Sequence, residues 1–229
     1  MRDTPQSLML FAAGFGTRMG ALTQTRPKPL VEVAGKPLID HALELIEAAK
    51  VERVVANVHY LADQIEAHLI GRNVLISDER AQILETGGGL RKALGLLGEG
   101  PVMTLNTDAV WRGENVITQL RDHWDGTKMD ALLALVRPEN AMGHRGAGDF
   151  TMDAQGRLTR GEGYVYTGAQ ILNPAEIGSV SDDVFSLNLL WDAMIAGRRV
   201  YGVVYEGGWC DVGQVSSIAL AETLLEGRA

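Results

Sequence analysis

The residues best suited to chemistry are two glycines and two cations near the N-terminus, and aspartates far along the chain. Gly14 and Gly16 stand in Phe11-Ala-Ala-Gly-Phe-Gly-Thr-Arg-Met-Gly20, behind the apolar run Leu8 to Ala12. A buried strand that delivers a glycine turn leaves backbone N–H groups free to face anionic oxygens. Without Cβ atoms the backbone also approaches a phosphate closely. Arg18 and Lys28 supply the positive charge that a triphosphate and a leaving pyrophosphate need, and Pro27 and Pro29 stiffen the segment that presents Lys28. Asp108 closes Asn106-Thr-Asp108 at the carboxyl end of an expected parallel strand, where open α/β sheets bind ligands. A carboxylate there suits Mg²⁺, a hard cation that takes oxygen ligands and shares them with phosphates. Two familiar phosphate loops fail. A dinucleotide fingerprint needs a third glycine where Met19 stands, and a Walker A loop needs a Gly-Lys-Ser/Thr that is absent. Taken by itself, a lone Gly-x-Gly also suits an ordinary surface turn, and an Asp at a strand end also suits a cap or turn.

The elements that position these residues follow a simple rhythm. Strands are expected at Leu8 to Ala12, Arg53 to Val58, Asn73 to Ile76 and Val102 to Leu105. Between them, helical stripes run over Pro37 to Ala49, Leu61 to Ile70 and Thr86 to Leu97. Strand and helix alternating at this spacing imply right-handed βαβ crossovers, hence an α/β fold with a mostly parallel sheet flanked by helices. The second half is richer in strands: Ala131 to Val136, Asp149 to Met152, Arg157 to Thr159, Tyr164 to Leu172 and Val200 to Tyr205. A turn is expected at Asp153 to Gly156, and helices at Leu187 to Ala196 and Val215 to Leu225. No repeat, linker or low-complexity tract interrupts the chain. One continuous domain over residues 1–229 is expected, with a nucleotide-binding half over 1–110 and an insertion-bearing half over 111–229.

Composition narrows the function classes. The 229 residues are 46% hydrophobic and carry a formal net charge of −8. That length suits one large α/β core, and the acidic balance argues against nucleic acid as a partner. Phosphates must then be met by locally placed cations, backbone N–H groups or a metal. Cys210 is the only cysteine, so the chain has no internal disulfide and fits a reducing compartment. The polar start from Met1 to Ser7 and the shortness of the apolar run behind it point to neither a signal peptide nor a membrane span, so a cytoplasmic location is expected. The histidines His41, His59, His68, His123 and His144 have no metal-ligand spacing. The tryptophans Trp111, Trp124, Trp191 and Trp209 read as core or pocket walls.

Ala12-Ala-Gly-x-Gly-Thr-Arg-Met, then Leu22-Thr and Pro27-Lys-Pro-Leu30, resemble the signature of the sugar-1-phosphate nucleotidyltransferases. Within that family the chain is most similar to the short N-acetylmuramate-1-phosphate uridylyltransferases of peptidoglycan recycling. The resemblance spans essentially the whole chain and implies a Rossmann-like, mixed, mostly parallel sheet of the nucleotide-diphospho-sugar transferase type. It also implies that Ala13, Gly14, Gly16, Thr17, Arg18 and Lys28 meet the nucleotide, joined by Gly87 and Gly88 of Leu84-Glu-Thr-Gly-Gly-Gly89. Asp108 and Asp211, the latter in Gly208-Trp-Cys-Asp-Val-Gly213, match the family's metal-binding motifs, with Thr107 in place of its usual glycine. Asn106, Gly148, Asp149 and Glu162 fall among the implied sugar contacts, and 111–229 is the implied sugar-binding half. The implied reaction is attack of the sugar phosphate oxygen on the α-phosphorus of UTP or a related triphosphate, with pyrophosphate departing. The lactyl carboxylate of a muramic sugar calls for a cation, and Arg145 is the nearest candidate in sequence. A mannose-1-phosphate guanylyltransferase or a glucose-1-phosphate thymidylyl- or uridylyltransferase would share the same catalytic residues. A non-catalytic nucleotide-sugar sensor would not need them intact, and a nicotinamide-dependent oxidoreductase lacks its third glycine.

Overall fold

The computed structural model describes residues 4–227; Met1 to Asp3, the start of the polar N-terminus, and Arg228 and Ala229 lie outside the described residues. The chain runs through β1 (Ser7–Phe11), two 3₁₀ turns at Thr17–Thr23 and Lys28–Leu30, and a small hairpin of β2 (Glu32–Val33) and β3 (Lys36–Pro37). It continues through α1 (Leu38–Ala48), β4 (Arg53–Val58), α2 (Ala62–Leu69), β5 (Val74–Asp78), α3 (Glu85–Leu97), β6 (Val102–Asn106), β7 (Ala109–Arg112) and α4 (Val116–His123). Then come β8 (Ala131–Val136), β9 (Ala141–Met142), β10 (Phe150–Met152), β11 (Leu158–Arg160), β12 (Val165–Leu172), α5 (Asn188–Ala196), β13 (Val200–Val204), β14 (Gly208–Asp211) and α6 (Ser216–Leu225).

Seven strands form the central sheet in the order β13-β8-β12-β6-β1-β4-β5. All neighbours are parallel except those of β12, which runs antiparallel to both β6 and β8. The mixed, mostly parallel α/β architecture expected from the sequence is therefore the one observed. The period-2 pattern of β1 sends Leu8 and Leu10 into one apolar layer and Met9 into the other. The first layer takes the buried stripes of α1, α2 and α4, through Ile39, Ile65 and Leu120 among others. The second takes α3 and α5, through Leu90 and Leu190. Helices on both faces explain why the strands read as continuous apolar runs and not as alternating ones.

β14 is the element that sequence reasoning misses and the site depends on. It pairs antiparallel with β7, setting Asp211 opposite Ala109 and Cys210 opposite Val110, and parallel with β9. A third apolar cluster beneath it joins Met19, Val31 and Leu38 to Val110, Cys210, Val212 and Leu224. It thereby fastens the glycine-loop region to the C-terminal part of the chain. The helix α4 is also absent from the sequence reading. Asn115 caps it, its side chain accepting from the N–H groups of Ile117 and Thr118.

Candidate active site

The glycine turn leaves the end of β1 and is held by side chains from neighbouring strands. Ala12 N–H donates to Asn57 Oδ1 at 2.8 Å, and Asn57 Nδ2 donates to Glu79 Oε1 at 2.8 Å. The other Glu79 oxygen accepts from Leu84 N–H at 3.2 Å, just before α3. Glu79 is 0% exposed, and burial raises its carboxyl above the ordinary glutamate value despite these donors. Gly16 has φ +65°, and a Cβ there would stand 2.7 Å from Lys28 Cβ. Glycine is thus required twice over at this position, by backbone conformation and by the lysine stem that packs on it. Gly14 meets no such obstacle, is exposed, and faces a cleft with Ala13, Lys28, Asn57 and Asp108.

Lys28 is 9% exposed, and its ammonium reaches Asp108 Oδ2 at 2.8 Å. Asp211 lies near enough to feel Asp108. Burial, then that neighbouring charge, raise the Asp211 carboxyl above its ordinary range, while Lys28 and Arg18 pull it back. The Arg18 guanidinium borders Asp211 across Gly213: a Cβ on that glycine would be 2.9 Å from Asp211 Oδ2 and 3.1 Å from both terminal nitrogens of Arg18. Two carboxylates from different segments thus converge, with one cation beside each. The donors are hard oxygens, and a carboxyl disfavoured in its charged form is one that a divalent cation would relieve, so Asp108 and Asp211 fit Mg²⁺. Among the described residues no group of three or more His, Cys, Asp or Glu could hold a metal; phosphate and water oxygens would have to complete the shell, as is usual for this ion. Thr107, the departure from the family motif, donates its hydroxyl to Phe11 O at 2.8 Å and ties the ends of β6 and β1 together.

A second cavity adjoins the first. Both share Phe11, Thr86 and Asn106 in their walls, and the second adds His144, Asp149, Arg160, Gln170, Asn188 and Trp191. Asn106 fits there because Gly168, φ +87°, lies opposite at an irregularity of β12; a Cβ would come within 2.9 Å of the Asn106 side chain. Asp149 lines the cavity while its Oδ2 accepts from Tyr166 N–H at 2.8 Å. Gly148, φ +101°, lies where any Cβ would overlap the backbone of Gly163, so it shapes the wall by close approach. Glu162 and Arg145 are exposed and lie outside the lining of either cavity; Arg160 is the arginine that lines the second one.

Gly87 and Gly88 differ from expectation. Both are buried, both donate backbone N–H to Phe185 O, and Cβ atoms there would overlap Phe185 and Asp183. These glycines admit the 183–185 segment against α3, and Ile83, Glu85 and Thr86 face the cleft in their stead. Thr17 and Arg18 are exposed at the start of the first 3₁₀ turn. Trp111, Trp124 and Trp209 are core residues, and Trp191 is a cavity wall. His144, which has no sequence signal beyond its glycine-flanked loop, lines the second cavity with Nε2 buried and unpartnered among the described residues.

An open α/β sheet that presents glycine backbone, two cations and two carboxylates at its strand ends handles phosphates, and comparison with known proteins agrees that the chain is a nucleotidyltransferase. It belongs to the MobA-like NTP transferase domain family, whose model matches residues 8–156. It is 43% identical to the N-acetylmuramate alpha-1-phosphate uridylyltransferase of Caulobacter vibrioides, over 98% of this chain and 99% of that protein. It is 34% identical to the protein of the same name from Neisseria meningitidis serogroup B, over 94% and 96%. Among solved structures, the inositol-1-phosphate CTP transferase of T. maritima superposes with a TM-score of 0.80 over the whole of both chains at 16% identity, a likeness of fold.

Proposed function

We propose that the protein transfers the uridylyl group of UTP to N-acetylmuramic acid 1-phosphate and releases pyrophosphate, as a Mg²⁺-dependent cytoplasmic enzyme of cell-wall sugar recycling. The two near full-length relatives that carry this activity in their names support the substrates. The observation that carries the chemistry is the pair of buried Lys28 and half-buried Asp108, with Asp211 and Arg18 beside it, at the mouth of a glycine turn. Among the described residues no helix is long and apolar enough to cross a membrane.

In this reading a phosphate oxygen of the sugar attacks the α-phosphorus, and the bond from that phosphorus to the pyrophosphate oxygen breaks. Such a transfer needs positioning and charge neutralisation and no protein nucleophile. Ala13, Gly14, Gly16 and Thr17 offer the turn that cradles phosphates, and Arg18 holds the β- and γ-phosphates. Lys28, already desolvated, bridges the α-phosphate and the incoming sugar phosphate, where its charge is worth far more than in water. Asp108 and Asp211 would hold the Mg²⁺, which when bound neutralises developing charge on phosphate oxygens. Gly87 and Gly88 act on the nucleotide side by seating the wall that carries Thr86. Asn106 and Asp149 contact the sugar and Gly148 shapes its loop, while Glu162, exposed outside both cavities, takes no part in this reading.

The test is pyrophosphate release measured over a matrix of UTP, dTTP, GTP and CTP against N-acetylmuramic acid, N-acetylglucosamine, glucose and mannose 1-phosphates, with Mg²⁺ and with EDTA. UTP with the muramic sugar should give the highest kcat/KM, and EDTA should abolish it. A GTP–mannose optimum would replace the substrate assignment, and no release from any pair would end the reading.

A further inference from the structure

We infer that the second cavity reads a carboxylate on the sugar, through Gln170 and Arg160. Gln170 sits on β12, 1% exposed, and its Oε1 accepts from Trp191 Nε1 at 2.9 Å. An indole N–H only donates, so this bond fixes the amide with its NH₂ on the other side. Gln170 Nε2 is buried and has no partner among the described residues, although its side chain lines the cavity. A buried donor left unmet is costly and points to an acceptor that a ligand brings.

Arg160 is braced beside it. Its Nε donates to Asp192 Oδ1 at 2.9 Å and its Nη2 to Asn188 Oδ1 at 2.8 Å, while the guanidinium carbon lies 4.9 Å from the Phe150 ring centroid and 5.4 Å from that of Trp191. Arg160 is exposed, so the rest of its guanidinium is open to a ligand in the cavity it lines. The same wall carries Ser186, Leu187 and Asn188, the start of α5, whose first turn holds no acidic residue and whose N-terminal end favours an anion. Asp149, which lines the cavity, accepts from Tyr166 N–H through Oδ2, and Asp192, outside the lining, pairs with Arg160.

Two of the groups offered here, the Gln170 NH₂ and the Arg160 guanidinium, can only donate, while His144 Nε2 donates or accepts according to its tautomer. Sugar hydroxyls both donate and accept, whereas a carboxylate only accepts, so the set is matched to a carboxylate better than to a plain ring. This places the reading of a lactyl group on Arg160 and Gln170, not on Arg145, and it rests on the substrate proposed above.

The experiment measures kcat and KM with UTP for N-acetylmuramic acid 1-phosphate and for N-acetylglucosamine 1-phosphate, which lacks the carboxylate. The variants are Arg160→Met, which keeps the stem over Trp191, Arg160→Lys and Gln170→Met, each checked by its melting temperature. Arg160→Met should lower kcat/KM for the muramic sugar about 10- to 100-fold, mainly through KM, with a much smaller loss on the neutral sugar and partial recovery in Arg160→Lys. Gln170→Met should lose in the same direction; if it melts early, the arginine variants decide alone. Equal losses on both sugars in a stably folded Arg160→Met, with wild type active on the muramic sugar, would overturn the inference and leave the proposed substrate standing. Wild type that ignores the muramic sugar but turns over a neutral hexose phosphate would overturn both.

Discussion

The two cavities that meet at Asn106 are made of different material. The first combines the glycine turn after β1 with polar residues from the end of β6, the approach to α3 and their neighbours: Lys28, Asn57, Glu79, Glu85, Thr86, Asn106, Thr107 and Asp108. The second is walled by side chains from β10, β11, β12 and α5 and from the loop after β9, segments that meet only in the folded chain. The open backbone of the glycine turn suits a ligand whose phosphates are the same in every nucleotide. A side-chain wall suits a ligand whose substituents differ. The difference also sets what mutation does, since main-chain donors survive most substitutions and side-chain donors survive none.

The largest effect should come from the buried lysine. Lys28→Met keeps the stem on which Gly16 packs and removes only the charge. It should lower kcat/KM by about 100- to 1,000-fold, or roughly 2.7–4 kcal/mol of transition-state stabilisation, with a near-normal melting temperature. Activity within a few-fold of wild type would mean that the pair with Asp108 is structural. Next come the carboxylates. Asp108→Asn and Asp211→Asn should each cost on the order of 100-fold in Mg²⁺-dependent turnover. The double variant should be little worse than the poorer single one, as for residues acting as a unit; multiplying losses would assign them separate jobs.

A pair of glycine variants sharpens the contrast within the first cavity. Gly14→Ala, where nothing stands within 4 Å of the new Cβ, should leave melting nearly unchanged and raise the KM for the nucleotide several-fold. Gly87→Ala should do the reverse, costing about 1–3 kcal/mol of stability by overpacking against Phe185, with KM little altered in the folded fraction. A large KM effect from Gly87→Ala alone would return that glycine to the nucleotide face.

The smallest effect concerns pH. Burial raises the Glu79 carboxyl, so above the ordinary glutamate pKa the folded protein holds a proton that the unfolded chain has lost. Stability from this group is therefore full below that value and falls as pH rises through the folded pKa. Thermal melts from acid to neutral pH should show a shallower fall for Glu79→Gln than for wild type. Parallel curves would mean that Glu79 stays ionised throughout.

Much of the first cavity is legible in the sequence because its signal is local. Arg53–Val58 and Ala131–Val136 fold as strands over the residues expected, and the other sheet strands shift by a residue or two at their ends. The glycine turn is equally readable, since Gly16 joins a positive φ to a close approach by Lys28 that leaves no room for a Cβ. β7 and β14 are not readable: each is four residues long without alternation, and each exists because the other lies about a hundred positions away. That pairing is nevertheless what brings Asp211 to Asp108, so the motif identifies the residue and only the fold explains its place. The helix α4 had a usable signal in Asn115 followed by Val116, Ile117 and Leu120. In the second cavity the motif resemblance reached Asn106 and Asp149 and nothing more. Gln170 and Trp191 sit inside ordinary strand and helix patterns, and Arg160 differs in no local way from Arg145.

The shared wall of Phe11, Thr86 and Asn106 has a kinetic consequence. In an enzyme that joins the contents of two adjoining cavities, the joined product alone fills both at once. Its second half rebinds at an effective concentration set by the covalent link, so its hold exceeds that of either half without any new contact. Pyrophosphate, tied to one side only, gains nothing from this. Departure of the nucleotide sugar is then expected to be the slower exit, and the nucleotide sugar should inhibit the forward reaction more strongly than pyrophosphate does.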